Sequence, residues 1–184
     1  NAGRITVHMG TCGISSGAND ILEVLKEELQ SSKRKDIFVT TSGCAGICNR
    51  EPLITVERVG EEPVKYADVT KDKAREIFRK HVLKGEGLPQ WVFSRGWEQK
   101  EMEFEGPPSP KIEGTPHTRD IPFFGMQRPV VMKNRGLIQA ERIEEYIARD
   151  GYFAAAKALY QMGSQEIIQE VKTSGIRGRG GAGF

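Results

Sequence analysis

The hydrophobic pattern at the start of the chain predicts a strand and then a helix. Apolar and polar residues alternate through "RITVHMGTCG" and stop at glycines, which is typical of a half-buried strand followed by a loop. In "SSGANDILEVLKEELQSSK" the apolar residues recur at helical spacing, and Ser16 is the expected N-cap. The loop between these two elements carries Cys12.

The pattern that follows predicts three more strands and a second helix. This helix is expected to begin after Thr70 as N-cap and to end at Gly85. The order βαβββα indicates an α+β domain over residues 3–85, in which two helices cover a small sheet and the cysteine-bearing loops can share one end. The strands are expected at "DIFVTT", "LITVERV" and "VKYADV", the last two as a hairpin.

Residues 86–120 change in composition to glycine, proline, serine and charged residues, which predicts a linker. Trp91, Phe93 and Trp97 interrupt this stretch. Aromatic residues of this kind either anchor a partner or pack on their own domain.

Beyond the linker, an apolar extended stretch is followed by three short helices. Ser164 is the expected N-cap of the last helix and Gly175 the glycine that ends it. The helices are expected in "AERIEEYIARD", "GYFAAAKALYQM" and "SQEIIQEVKTSG", with breaks at Gly151 and Gly163.

Composition excludes several classes of protein. The net charge is +2, so no strong field favours nucleic acid or an anionic membrane surface. No apolar run is long enough to span a bilayer, and the N-terminus lacks a secretory pattern, so we expect a cytoplasmic protein without direct membrane insertion. Three cysteines argue against a secreted disulfide framework and for reduced thiols or metal ligands.

The cysteines have a spacing that suits a metal or iron–sulfur site. Cys44 and Cys48 are separated by three residues in a turn that also holds Gly43 and Gly46, so both thiols can converge on one iron. Cys12 reaches the site from another loop. Unpaired cysteines, or a Cys44–Cys48 disulfide formed by oxidation, are the alternative.

A four-ligand site needs one more group, and His8 is the nearest candidate. A neutral imidazole can replace a thiolate on iron or join three cysteines around zinc. The alternative for His8 is an exposed strand histidine without a metal.

The chain stops in "GIRGRGGAGF", a loop that combines glycines with Arg177 and Arg179. Glycines allow close approach of the backbone to a phosphate, and guanidinium groups bind phosphate in a bidentate manner. An RGG-type tail that binds nucleic acid is the alternative, although a single copy after a helix argues against it. Such a loop has nothing to pack against where the chain stops, so we expect a longer protein.

These motifs together give the chain a family resemblance. It resembles the N-terminal part of the flavin subunit of NADH dehydrogenases and of NAD(P)-dependent iron hydrogenases, in the form in which a thioredoxin-like [2Fe-2S] ferredoxin domain precedes the FMN domain. The resemblance rests on "GTCGISSGA", "SGCAGICNREPLITV", "IPFFGMQRPVVMKNRGLIQAERIEEYIARDGYFAAAKAL" and "SGIRGRGGAGF".

The resemblance implies a thioredoxin-like fold for residues 3–85 and the beginning of an FMN-binding flavoprotein domain for residues 121–184. It also gives Cys44 and Cys48 the places of the second ligand pair of a [2Fe-2S] cluster. By the same resemblance Gly178, Arg179 and Gly180 lie at the flavin phosphate and ribityl chain, and Gly181, Gly183 and Phe184 lie where the loop meets the nicotinamide nucleotide.

The first ligand pair departs from the family pattern. His8 stands where the first cysteine is expected, and Cys12 stands one residue before the second. Three outcomes are open: a cluster on three cysteines plus His8 or the hydroxyl of Ser15 or Ser16, a labile cluster, or a fold that has lost its cofactor.

The leading hypothesis is therefore an electron-transfer part of an NAD(P)H-oxidising subunit. It would pass electrons between NAD(P)H, FMN and iron–sulfur clusters of a multisubunit dehydrogenase or hydrogenase, and this stretch by itself is expected to be inactive. The alternatives are a cluster-free thioredoxin-like module that docks a partner subunit, and a structural zinc domain with His8 and the three cysteines as ligands.

Overall fold

The computed structural model describes residues 3–98, 112, 114–139 and 141–177. The chain divides into two compact units, Asn1–Ala140 and Glu141–Phe184. The predicted glycine-rich nucleotide loop, residues 178–184, lies outside the described residues.

The first unit is built on a mixed five-stranded sheet in the order β2-β1-β3-β4-β5. β1 and β2 are parallel, and the other neighbouring pairs are antiparallel. The strands run over Gly3–His8 (β1), Ile37–Ser42 (β2), Ile54–Arg58 (β3), Val64–Tyr66 (β4) and Val92–Arg95 (β5).

Two of the helices in this unit are those predicted from the apolar spacing. The second of them continues beyond its α-helical part as a wider π-helical turn over Phe78–Val82. Single turns of 3-10 helix occur at Cys48–Arg50, Pro89–Trp91 and Thr118–Asp120. The α-helices run over Thr11–Ser15 (α1), Ala18–Ser32 (α2), Lys71–Ile77 (α3) and Pro122–Gly125 (α4).

The predicted α+β class is confirmed. The predicted βαβββα order is confirmed with one addition, because the short helix α1 lies where a loop carrying Cys12 was expected. The hydroxyl of Thr70 accepts a hydrogen bond from the Lys73 amide, as expected of an N-cap. Ser16 was the wrong N-cap for α2, because its amide closes α1 on the Cys12 carbonyl at 2.9 Å. Gly17 precedes α2 instead, with a φ of 102° that turns the chain between the two helices.

The alternation within the strands gives the sheet one apolar face. The buried residues of α2 and α3, such as Leu25 and Phe78, pack with that face to form the main core. Fully buried side chains of this kind supply most of the stability of a small domain. On the sheet, the core side chains are Ile5, Val7, Ile37, Ile54, Val56, Val64 and Tyr66.

Part of the stretch predicted as a linker belongs to the sheet. Val92–Arg95 forms β5 and pairs with β4, so the predicted end of the ferredoxin-like unit at residue 85 differs from the compact unit, which extends to Ala140. Trp91 packs against the main core and Phe93 against a second apolar cluster around Phe124. The assignment of residues 121–184 to a flavoprotein domain remains a prediction.

In the described part of the second unit, residues 141–177, there are three helices, and they are the three predicted from the sequence. Gly175 ends the last of them with a φ of 62°, and its N-cap is Gly163 rather than Ser164. The helices run over Ile143–Ile147 (α5), Phe153–Gln161 (α6) and Ser164–Ser174 (α7). No helix in the described part of the chain has the length and apolar character needed to cross a membrane.

Candidate functional site

The loops that carry the cysteines meet at one edge of the sheet. β1 and β2 are parallel neighbours, so both end at the same edge, and the Met9 amide donates to the Ser42 carbonyl at 2.7 Å just beyond them. The following loops are in contact, because a Cβ placed on Gly10 would lie 2.6 Å from the Cβ of Cys44. The predicted approach of the two loops is therefore observed.

Cys44 and Cys48 form a pair of thiols with a geometry suited to one metal ion. Their Sγ atoms lie 3.7 Å apart. Two thiolates bound to a tetrahedral ion at about 2.3 Å each are about 3.8 Å apart, a value calculated from the zinc–sulfur distance. The Gly46 amide donates to the Cys44 Sγ at 3.2 Å, and Gly46 reaches this position with a φ of 89°.

Partial burial raises the pKa of the Cys44 thiol, so the metal-free protein carries the proton on this sulfur at neutral pH. The ring of Phe123 lies against the same turn, since a Cβ on Gly46 would be 3.1 Å from its Cζ. Metal binding at Cys44 therefore requires loss of a proton beside an aromatic ring.

Cys12 lies in the first turn of α1 and is exposed. Among the described residues, no group of three or more histidine, cysteine, aspartate and glutamate side chains is arranged to hold a metal ion. The structure thus brings two of the predicted thiol ligands together, while the third is on the neighbouring loop. The hydroxyl-bearing candidates are both exposed: Ser15 is the last residue of α1, and Ser16 is its C-cap.

His8 has a different environment from either sequence expectation. It is 4% exposed, its Nδ1 lies 3.2 Å from the Gly43 carbonyl and its Nε2 lies 3.0 Å from the Thr55 hydroxyl. A carbonyl only accepts, so Nδ1 carries the proton and Nε2 accepts from Thr55. Burial, together with the nearby Lys65, lowers the pKa of His8 to about 4, so the ring is neutral.

Both ring nitrogens of His8 are thus occupied by protein partners, and His8 is not an exposed strand residue. Ligation by His8 remains a prediction that would require breaking one of these two hydrogen bonds. Its observed contact is with the backbone of the Cys44 loop, through Gly43.

Glu51 is a site residue that sequence reasoning missed. Its Oε2 accepts from the Leu53 amide at 2.9 Å, and its Oε1 is buried without a partner. A Cβ on Gly13 would lie 3.2 Å from Oε2, which places the carboxylate between the Cys12 helix and the Cys48 turn. Burial raises the pKa of Glu51. The signal in the sequence was an acidic residue three positions after Cys48.

A buried charged cluster on the second face of the sheet was also missed. Lys65 Nζ lies 3.4 Å from Glu98, which also forms an ion pair with Arg135, and these residues line a cavity of about 20 Å³ with His8. Burial lowers the pKa of Lys65. Burial alone would raise the pKa of Glu98, but Lys65 and Arg135 outweigh it and lower that pKa.

Gly10→Ala is expected to impair metal binding while leaving the fold intact. The backbone of Gly10 is extended and accommodates alanine, but the new methyl would overlap Cys44 and push the two cysteine loops apart. We expect iron bound after reconstitution to fall by about tenfold. Gly43→Ala is the matched control, because a Cβ there meets nothing within 4 Å. Equal iron contents in the two variants would contradict this view of the loop contact.

Comparison with known proteins identifies relatives. The chain is 36% identical over 73 residues to a 2Fe-2S ferredoxin of Clostridium pasteurianum, covering 39% of this chain and 69% of that protein. It is 29% identical over 82 residues to the NADP-reducing hydrogenase subunit HndB of Solidesulfovibrio fructosivorans, covering 45% of this chain and 65% of HndB. Subunit HndC of the same hydrogenase is 48% identical over 58 residues, which cover 32% of this chain and 12% of HndC.

Among solved structures, the thioredoxin-like [2Fe-2S] ferredoxin from Aquifex aeolicus aligns with a TM-score of 0.47 at 21% identity, covering 56% of this chain and 99% of that one. No protein-family profile matches the chain. The chain spans less than two thirds of HndB, at 65%, and a small part of HndC, at 12%.

Proposed function

Since the chain belongs to the [2Fe-2S] ferredoxin family, we propose that its first unit is an electron-transfer module with Cys44, Cys48 and Cys12 as cluster ligands. The observation that carries this proposal is the 3.7 Å separation of the Cys44 and Cys48 sulfurs, which fits one tetrahedral iron. Cys12, in the first turn of the adjoining helix α1, is the thiol for the second iron, whose remaining ligand comes from a non-cysteine group. A bound [2Fe-2S] cluster supplies one-electron transfer.

The protein residues of the site hold the thiols in place. The Gly46 amide orients the Cys44 sulfur through its hydrogen bond, and amide contacts to sulfur are one of the ways a protein sets the cluster potential. Phe123 covers the Gly46 side of the turn. The Cys48 thiol is exposed, which leaves a side of the site open to a partner.

We further propose that the module works in a multisubunit NAD(P)H-dependent oxidoreductase of the hydrogenase or NADH dehydrogenase type, in the cytoplasm. HndB and HndC, by their names, are subunits of an NADP-reducing hydrogenase. FMN and NAD(P) would bind through the glycine-rich loop, with the rest of a flavin domain completing the pocket. The loop residues concerned are Gly178, Arg179, Gly180, Gly181, Gly183 and Phe184.

Anaerobic reconstitution with iron and sulfide tests the electron-transfer proposal. We expect about two irons and two acid-labile sulfides per chain and an electron paramagnetic resonance signal on reduction with dithionite. Zinc without sulfide would indicate the structural zinc domain instead. Absence of both iron and zinc would instead support the cluster-free docking module. Either of these two results, zinc without sulfide or no bound metal, would contradict the proposed function.

A further inference from the structure

Two successive carbonyl groups of the Cys44 turn are held by side chains from elsewhere in the first unit. The Gly43 carbonyl accepts from His8 Nδ1 at 3.2 Å, and the Cys44 carbonyl accepts from Arg135 Nη1 at 3.4 Å. His8 belongs to the neighbouring strand, whereas Arg135 is 91 positions further along the chain. The backbone on both sides of the Cys44 Cα is therefore fixed from outside its own loop.

Arg135 is itself held in a partly buried position. Its side chain is 17% exposed and forms an ion pair with Glu98, whose side chain is 13% exposed. Glu98 also pairs with Lys65, which is 7% exposed and projects from β4. A guanidinium group with several fixed partners has little freedom to move, so it can impose a position on the carbonyl that it contacts.

The charge of this cluster also bears on the site. Burial is the main cause that lowers the pKa of the neighbouring His8, and the cations Lys65 and Arg135 lower it further. The neutral His8 ring therefore adds no charge, whereas Arg135 is a cation that directly contacts a proposed ligand residue. A fixed positive charge beside a cluster favours the reduced, more negative form.

We propose that Arg135 is a positioning residue for the Cys44–Cys48 pair: it anchors the Cys44 carbonyl to the Glu98–Lys65 ion pair and places a cation beside the cluster. This inference rests on the proposed function. It also links the cysteine turn to residues 133–139, the part of the first unit that leads toward the second.

The first test uses the metal-free 184-residue chain and does not depend on a cluster. In Arg135→Met we expect amide exchange in residues 43–48 and alkylation of Cys44 by iodoacetamide to become about three- to tenfold faster, the range expected for one lost hydrogen bond. Alkylation of Cys12 and exchange of the β1 and β3 amides should stay unchanged. The matched control is Arg128→Met, because Arg128 is exposed on the same segment.

The second test uses the reconstituted protein. We expect Arg135→Met to give a more negative reduction potential and altered g-values, and Arg135→Lys, which retains the charge, to restore the potential but not the slower exchange. Unchanged exchange, alkylation and potential in Arg135→Met would overturn the positioning role. If the wild-type chain binds no iron and sulfide, the proposed function fails, while the exchange and alkylation rates still decide whether Arg135 holds the turn.

If Arg135→Met lowers the overall stability, the β1 and β3 amides will exchange faster as well. In that case the amide exchange rates are measured in Arg135→Lys instead, because a lysine at this position is expected to keep the ion pair with Glu98. Faster exchange in residues 43–48 alone supports the proposal, and uniformly faster exchange in both variants contradicts it.

Discussion

Cys44→Ala and Cys48→Ala are each expected to abolish cluster binding. The two sulfurs lie 3.7 Å apart and serve the same proposed iron, so removal of either leaves that iron with one protein thiolate. In the proposed site the second iron has Cys12 as its only thiol, so the remaining proposed ligands cannot compensate. We expect the iron content after reconstitution to fall by more than about tenfold. Loss of a metal ligand should have a larger effect than loss of a residue that only contacts a ligand.

Iron and acid-labile sulfide, measured with the visible absorption of the cluster, check this expectation. Gly43→Ala is the control in the same turn, since an added Cβ there meets nothing within 4 Å. Circular dichroism should show the same folded α+β unit in all variants, because the sheet and its helices form a core without the metal. Retention of two irons and two sulfides by either alanine variant would contradict the assignment of the pair.

Acidification is expected to destabilise the first unit strongly between about pH 6.5 and pH 4. His8 and His81 are both buried, and burial lowers the pKa of each to about 4. In the unfolded chain both titrate near their ordinary pKa of about 6.5. Below that pH the unfolded state binds protons that the folded state does not, so the free energy of unfolding falls as the pH falls, by about 3 kcal/mol for each histidine.

Urea denaturation at intervals from pH 7 to pH 4.5 measures this dependence. His81→Gln should reduce the slope of the unfolding free energy against pH. The double variant His8→Asn, His81→Gln should lose most of this slope. The raised pKa of the buried Glu57 acts in the opposite direction, because it contributes stability that is lost as the pH rises. Identical slopes in the wild type and the double variant would show that the buried histidines are not the cause.

The sequence by itself predicted the elements whose formation depends on neighbouring residues. The apolar spacing of α2, the Thr70 cap and the alternation in β1 and β3 are local patterns, and the structure confirms each. The Cys44–Cys48 pair belongs to the same class, since three residues in a glycine-containing turn are enough to bring its sulfurs together. The parallel pairing of β1 and β2 then explains why the Cys12 loop lies beside them.

The tertiary structure decided which polar residues are buried. Thr6, Thr55 and Lys65 lie side by side on the second face of the sheet, where alternation alone would allow solvent, and all three are less than 9% exposed. Trp97, Glu98 and Arg135, far away in sequence, line the cavity on this face. The alternation of residues within a strand does not show that a later segment of the chain covers its polar face. For this reason His8 was expected either to bind a metal or to be exposed to solvent, whereas it is buried.

The same reasoning applies to the linker prediction and to Glu51. The glycine, proline and charged residues of residues 86–120 predicted a linker, although Val92–Arg95 forms a strand. This strand depends on pairing with β4 and on packing against the two apolar clusters, neither of which is visible in the local sequence. Glu51 lies between the two cysteine-bearing segments because the parallel strands β1 and β2 end at the same edge of the sheet. The sequence around Glu51 does not reveal this position. Short-range patterns determined most of the secondary structure and the thiol pair, whereas β5 and the burial and charge around that pair depended on contacts between residues distant in sequence.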